Sequence, residues 1–121
     1  MHINLKYGCN PHQGQATLSG EGLKILNGTP GYINLLDAFA AWQLVQELKS
    51  ATATASAASF KHLSPTGAAI AKPLQDTYCR SQFRGDSELS PVATAYVRAR
   101  GGDRMCSFGD VAAVSDTVDE S

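Results

Sequence analysis

Lys61 and His62 stand side by side in "SFKHLSPTG", where an apolar run breaks at Ser64-Pro65. Lysine supplies a cation that neutralises developing negative charge or delivers a proton, and histidine is the side chain best poised to remove one near neutral pH. Adjacent strand residues face opposite sides, so the pair serves one site only where the strand ends and the backbone rotates. The same pair also reads as one solvated and one core-satisfied side chain.

Three further stretches gather polar groups that a core does not require. In "LKYGCNPHQ", Lys6 and Tyr7 precede a turn at Gly8, Asn10 and Pro11; an ordinary terminal turn with a surface lysine is the plainer account. "NGTPGYIN" is dense in Gly, Pro and Asn ahead of a helix. Backbone N–H groups there either hold an anion or simply start the helix. In "RARGGDRMCSFGD", Arg98, Arg100 and Arg104 with Asp103 and Asp110 suggest surface ion pairs, while Gly109 lets a backbone approach a ligand closely.

Composition narrows the chemistry. The chain has 121 residues, long enough for one domain with its own core, and its 10 basic and 11 acidic side chains leave a formal charge of -1. That balance gives no electrostatic reason to expect nucleic acid or an anionic membrane as a partner. Cys9, Cys79 and Cys106 are odd in number and widely spaced, which suits a reducing compartment. His2, His12 and His62 form no helical couple, so no metal is expected. With neither an apolar span nor a signal segment in view, the expected location is cytoplasmic.

The elements that must position these residues read as follows. A helix is expected from Asn34, as N-cap with Asp37 three residues on, to about Lys49. Its apolar stripe is Leu35, Ala38, Phe39, Trp42, Val45 and Leu48. "SATATASAAS" is a connection into a strand at Ala57 to His62, stopped by Ser64-Pro65-Thr66-Gly67. Lys61 and His62 then lie at a strand's C-terminal end, where ligands of open α/β sheets bind. "AAIAKPL" is a short extended or helical piece, and "QDTYCRSQFRGDSE" is mostly loop. A second helix has Ser90 as N-cap, Pro91 at its first position, Val92, Ala95, Tyr96 and Ala99 on one face, and Gly101 as its stop. "DRMCSFGD" is a turn-rich loop and "VAAVS" a short strand, which together give an α/β layer fold.

In this order, "LKYGCNPHQ", "LNGTPGYINLLDAFAAWQLVQELK", "AASFKHLSPTGAA" and "ARGGDRMCSFGDVAAVSD" resemble the AICAR transformylase family. This is the formyltransferase part of a bifunctional purine-biosynthesis enzyme that also carries IMP cyclohydrolase, and the motifs look most like its eukaryotic-type version. The resemblance implies formyl transfer from 10-formyltetrahydrofolate, as co-substrate, to the 5-amino group of AICAR. His62 matches the family's base, and Lys61 the lysine that stabilises the oxyanion and helps protonate the leaving folate nitrogen. Lys6 and Tyr7 match a pair on AICAR and its phosphate, with Lys6 where the family usually has arginine. Asn34 matches a helix-start asparagine near the substrate, and Gly109 a glycine whose backbone meets the nucleotide. Thr66 stands where a small residue is common, and Tyr78, Arg80 and Arg84 carry no role.

The resemblance also implies a cytidine-deaminase-like layered α/β subdomain without zinc, the first of a tandem pair. The chain lacks the deaminases' zinc signature. Residues 1–121 are expected to be that partial transformylase domain, with the cyclohydrolase domain and second subdomain absent. The implied partners are AICAR and either a second copy, as a homodimer, or a complementary transformylase segment. A non-catalytic fragment that binds purine nucleotide or self-associates is the alternative.

Overall fold

The computed structural model describes residues 1–82 and 88–121 and divides into two units, Met1–Leu36 and Asp37–Ser121. In the first unit, β1 (His2–Asn4) pairs antiparallel with β2 (Thr17–Ser19), with Ile3 opposite Leu18. Beyond the strand, Leu5 N–H donates to the Ala16 carbonyl and Lys6 N–H to the Pro30 carbonyl, which fixes the backbone entering Tyr7.

Helix α1 (Tyr32–Thr52) begins in this unit and continues into the second. It starts two residues before the expected N-cap. Asn34 lies inside it and its Oδ1 accepts from Gly31 N–H at 3.0 Å, the half of a capping box in which the third helical residue reaches back. The helix also outlasts Lys49, ending where Ala53 turns left-handed at φ 53° while its N–H still reaches the Lys49 carbonyl.

The expected stripe on α1 is only partly right. Ala41 and Val45 are buried with Ala40 and Leu44 beside them, whereas Phe39 and Trp42 are 46% and 51% exposed. The reason is the surface opposite. Ala58, Phe60 and Ala113 make a mostly small-residue sheet face, so α1 approaches through its own small residues and the bulky aromatics stay outside.

In the second unit, β3 (Ser56–Lys61) is the middle strand of an antiparallel sheet ordered β4-β3-β5, with β4 at Ser64–Ile70 and β5 at Val111–Val114. Alternation along β3 assigns its two faces. Ala58 and Phe60 pack with α1. Ala57 packs with Ala95 and Ala99 of α3 (Pro91–Arg100), with Ala69 and Val114 adjoining. The result is the expected α/β layering, a sheet between helices. Its ligand-edge rule does not carry over, because that rule belongs to parallel strands and β3 turns back immediately.

The reversal corrects another expectation. Ser64-Pro65-Thr66-Gly67 does not stop the strand; it begins β4, and the turn is His62-Leu63, both left-handed at φ 52° and 61°. Two positive φ values in a two-residue loop suit the twist of a hairpin. Thr66 is the extra residue where the register shifts, since Ser59 pairs with Gly67 and Phe60 with Pro65.

The second helix is as expected. Ser90 Oγ accepts from Ala93 N–H at 3.3 Å, Pro91 opens α3, and Val92, Ala95 and Ala99 are buried; Tyr96 is exposed instead. Gly101 closes the helix in right-handed geometry. A Cβ there would meet the Tyr78 hydroxyl, which donates to the Val97 carbonyl. Asp76–Ser81 forms α2 rather than loop, while the rest of that loop expectation at 83–87, Arg84 included, lies outside the described residues.

Candidate functional site

In the first unit the structure brings Lys6, Tyr7 and Asn34 to one place. The Lys6 backbone is tied to Pro30, and a Cβ on buried Gly31 would lie 3.1 Å from both the Tyr7 ring and Asn34 Oδ1. A side chain at Gly31 would make Tyr7 or Asn34 give way by a few tenths of an ångström. Asn34 Oδ1 is engaged by Gly31, and both Asn34 and Lys6 are exposed. Such a group suits a phosphate or carboxamide.

In the second unit Lys61 ends β3 on the face shared with Ala57 and Ser59. Its Nζ donates to the Phe108 carbonyl at 2.7 Å, which brings Lys61 to the backbone beside Gly109. An ammonium has three donors, so this bond leaves two for another acceptor. Gly109 is left-handed at φ 74°, a conformation glycine adopts without steric cost.

Ser59 ties that loop to the sheet, and nothing singled it out in the sequence. It is fully buried, and its Oγ donates to Asp110 Oδ2, accepts from Thr66 Oγ1 at 2.7 Å and lies 3.3 Å from Ser107 Oγ. The signal was a hydroxyl within a run of buried small residues, where it must find partners. Within the loop, Asp103 Oδ1 accepts from Cys106 N–H at 3.1 Å. The Cys106 thiol and amide hold the Asp103 carboxyl below its ordinary range, with Lys61 adding a smaller effect, and Asp103 in turn pushes the thiol up.

Around the arginines and aspartates read as a surface ion-pair cluster, the described residues show bonds to backbone and hydroxyl. Arg98 donates to the Ile70 carbonyl, Arg104 to the Ser81 carbonyl at 3.1 Å, and Asp110 accepts from Ser59.

His62 is exposed at the first turn position, directly after Lys61. The strand ends at Lys61, and the next residue is left-handed. Asp37, which the sequence offered only as a capping partner, proves to hold this turn. Its side chain is 5% exposed, and Oδ1 accepts from Leu63 N–H at 2.6 Å.

Among the described residues, open cavities of about 620 and 270 Å³ lie elsewhere in the second unit. The larger is lined by Lys72, Leu74 and Glu88 among others, the smaller by Val92, Tyr96 and Val118. Neither includes Lys61 or His62. Among the described residues, no helix is long and apolar enough to cross a membrane.

Comparison with known proteins places this geometry in context. The sequence model of the AICARFT/IMPCHase bienzyme family matches residues 1–121. The chain is 34% identical over 123 residues to the bifunctional purine biosynthesis protein PurH of Deinococcus radiodurans, a match covering 95% of this chain and 21% of that protein. The protein of the same name from Deinococcus deserti matches to the same extent. That from Brucella ovis is 32% identical over 128 residues, 99% of this chain and 20% of its own length. The chain thus spans about a fifth of the length of the curated relatives it matches.

Proposed function

The chain belongs to the AICARFT/IMPCHase bienzyme family, and from that premise we propose that it supplies nucleotide-contacting and catalytic residues for formyl transfer to AICAR in purine biosynthesis, within a longer or complemented assembly. The observation that carries this reading is the local arrangement at the end of β3. Lys61 is held by the Phe108 carbonyl beside Gly109, and His62 follows in a left-handed turn.

The reaction joins the 5-amino nitrogen of AICAR to the formyl carbon of 10-formyltetrahydrofolate and breaks that carbon's bond to the folate N10. The amine is a poor nucleophile because its lone pair is delocalised into a ring bearing a carboxamide. His62 removes a proton as the amine attacks, directly or through the carboxamide. Negative charge gathers on the formyl oxygen, and Lys61, with donors to spare, stabilises it and delivers a proton to the departing nitrogen. The Phe108 carbonyl fixes the ammonium without cancelling its charge, as a carboxylate would.

In the first unit, Lys6 and Tyr7 serve the nucleotide and its phosphate, and the Asn34 amide donates to it. Lysine in place of arginine gives a point charge rather than a bidentate fork. Gly109 offers its backbone to the nucleotide. The cytidine-deaminase-like subdomain, the folate co-substrate, and a second copy or complementary segment as partner belong to the same proposal. Layering of α1, the sheet and α3 is compatible with that fold.

Calorimetric titration with AICAR tests the reading, with Lys6→Ala and Lys61→Ala run beside the parent chain. Saturable binding weakened by both changes supports it. A folded chain that binds no AICAR favours motifs retained without a working nucleotide site.

A further inference from the structure

We propose that Asp37 is a positioning residue for His62, holding the His62-Leu63 turn in the left-handed form that presents the imidazole; its catalytic meaning rests on the formyl-transfer reading above. Three observations converge. Neither turn residue is glycine, yet both are left-handed, a conformation uncommon for non-glycine residues and unusual for a bulky one such as leucine. Leu63 is also 50% exposed, so packing does not force it there. The Asp37 carboxyl, almost wholly buried on α1, accepts from Leu63 N–H at 2.6 Å, a short and direct tie. Strain of this kind persists where its surroundings over-determine it, and here the fixing group comes from a different element. Because α1 packs on the sheet through Ala41 and Val45, Asp37 ties the turn to the rigid core.

The test compares the parent chain with Asp37→Leu, Asp37→Asn and the double variant Asp37→Leu, Leu63→Gly. In isotope-labelled protein the parent shows the strong intraresidue HN–Hα cross-peak of a left-handed His62 and a protected Leu63 amide. Asp37→Leu should weaken that cross-peak and speed Leu63 exchange about tenfold or more. Asp37→Asn keeps an acceptor oxygen and should retain most of the protection. In the assembly that restores formyl transfer, Asp37→Leu should lower kcat about tenfold while the KM for AICAR changes little. Glycine at Leu63 relieves the left-handed cost and should recover kcat in the double variant. An unchanged His62 cross-peak and Leu63 exchange in Asp37→Leu overturns the proposal. So does loss of kcat that Leu63→Gly fails to restore. If the parent assembly transfers no formyl group, the functional reading fails, and the cross-peak and exchange measurements still decide whether Asp37 holds the turn.

Discussion

Lys6 and the Asp103–Cys106 pair each make a claim that a single substitution checks. If Lys6 meets the nucleotide phosphate, Lys6→Ala should weaken binding of AICAR while leaving binding of the corresponding nucleoside, which lacks phosphate, nearly unchanged; equal losses for both would assign Lys6 elsewhere. For the loop pair the sign follows from the shifts. The Asp103 carboxyl is lowered chiefly by the Cys106 thiol hydrogen bond, so its support is present above the ordinary carboxylate pKa and is lost as pH falls through the depressed value. The Cys106 thiol is raised by the same bond, so its support is present below the ordinary thiol pKa and is lost as pH rises through the raised value. Asp103→Asn should therefore move alkylation of Cys106 to lower pH, read by peptide mass mapping across a pH series. No movement would mean that the carboxylate does not restrain the thiol.

At the scale of elements, close approach decides stability. A Cβ on Gly67 would lie 1.9 Å from the Ala99 carbonyl oxygen, so Gly67→Ala must push α3 off β4 and should cost about 1–3 kcal/mol in denaturant unfolding. Ser90→Ala removes the α3 cap and should cost about 1 kcal/mol. A Gly67→Ala protein as stable as the parent would show that α3 yields freely. The capped helix and the strand after it were legible because their signals are local, a Ser-Pro start and a short run of apolar residues. The α1 stripe was legible only in part: Leu35 and Val45 are buried, but Phe39 and Trp42 are not, because the sheet face opposite is built mostly of small residues and bulk alone does not mark burial. The hairpin was hidden for a related reason. Ser64-Pro65 looks like a breaker, yet β4 lies at the sheet edge, where proline is tolerated, and no glycine marks the left-handed turn. Of the candidate site, the residue types at Lys61 and His62 were visible, whereas Ser59 and Asp37 act through contacts 51 and 26 positions away in sequence.

For the molecule as a whole, the family relationship and the exposed surface make a joint statement. Phe39 and Trp42 stand out from α1, and Met105 and Phe108 are 87% and 85% exposed on the loop that meets Lys61. Trp42 is the chain's one tryptophan, so its fluorescence reports the exposed α1 surface that it shares with Phe39. The chain on its own should show red-shifted emission readily quenched by iodide; blue emission resistant to quenching would mean that the aromatic face is covered. Catalysis makes the larger demand, because the formyl donor must be held in line with the AICAR amine. The decisive measurement is single-turnover formyl transfer from 10-formyltetrahydrofolate to AICAR in an assembly that completes the enzyme, comparing the parent with Lys61→Ala and His62→Ala. Transfer by the parent, slowed about a hundredfold or more by either change, is the predicted result; transfer that proceeds unaltered in both variants would contradict the assignment of Lys61 and His62 as the catalytic pair.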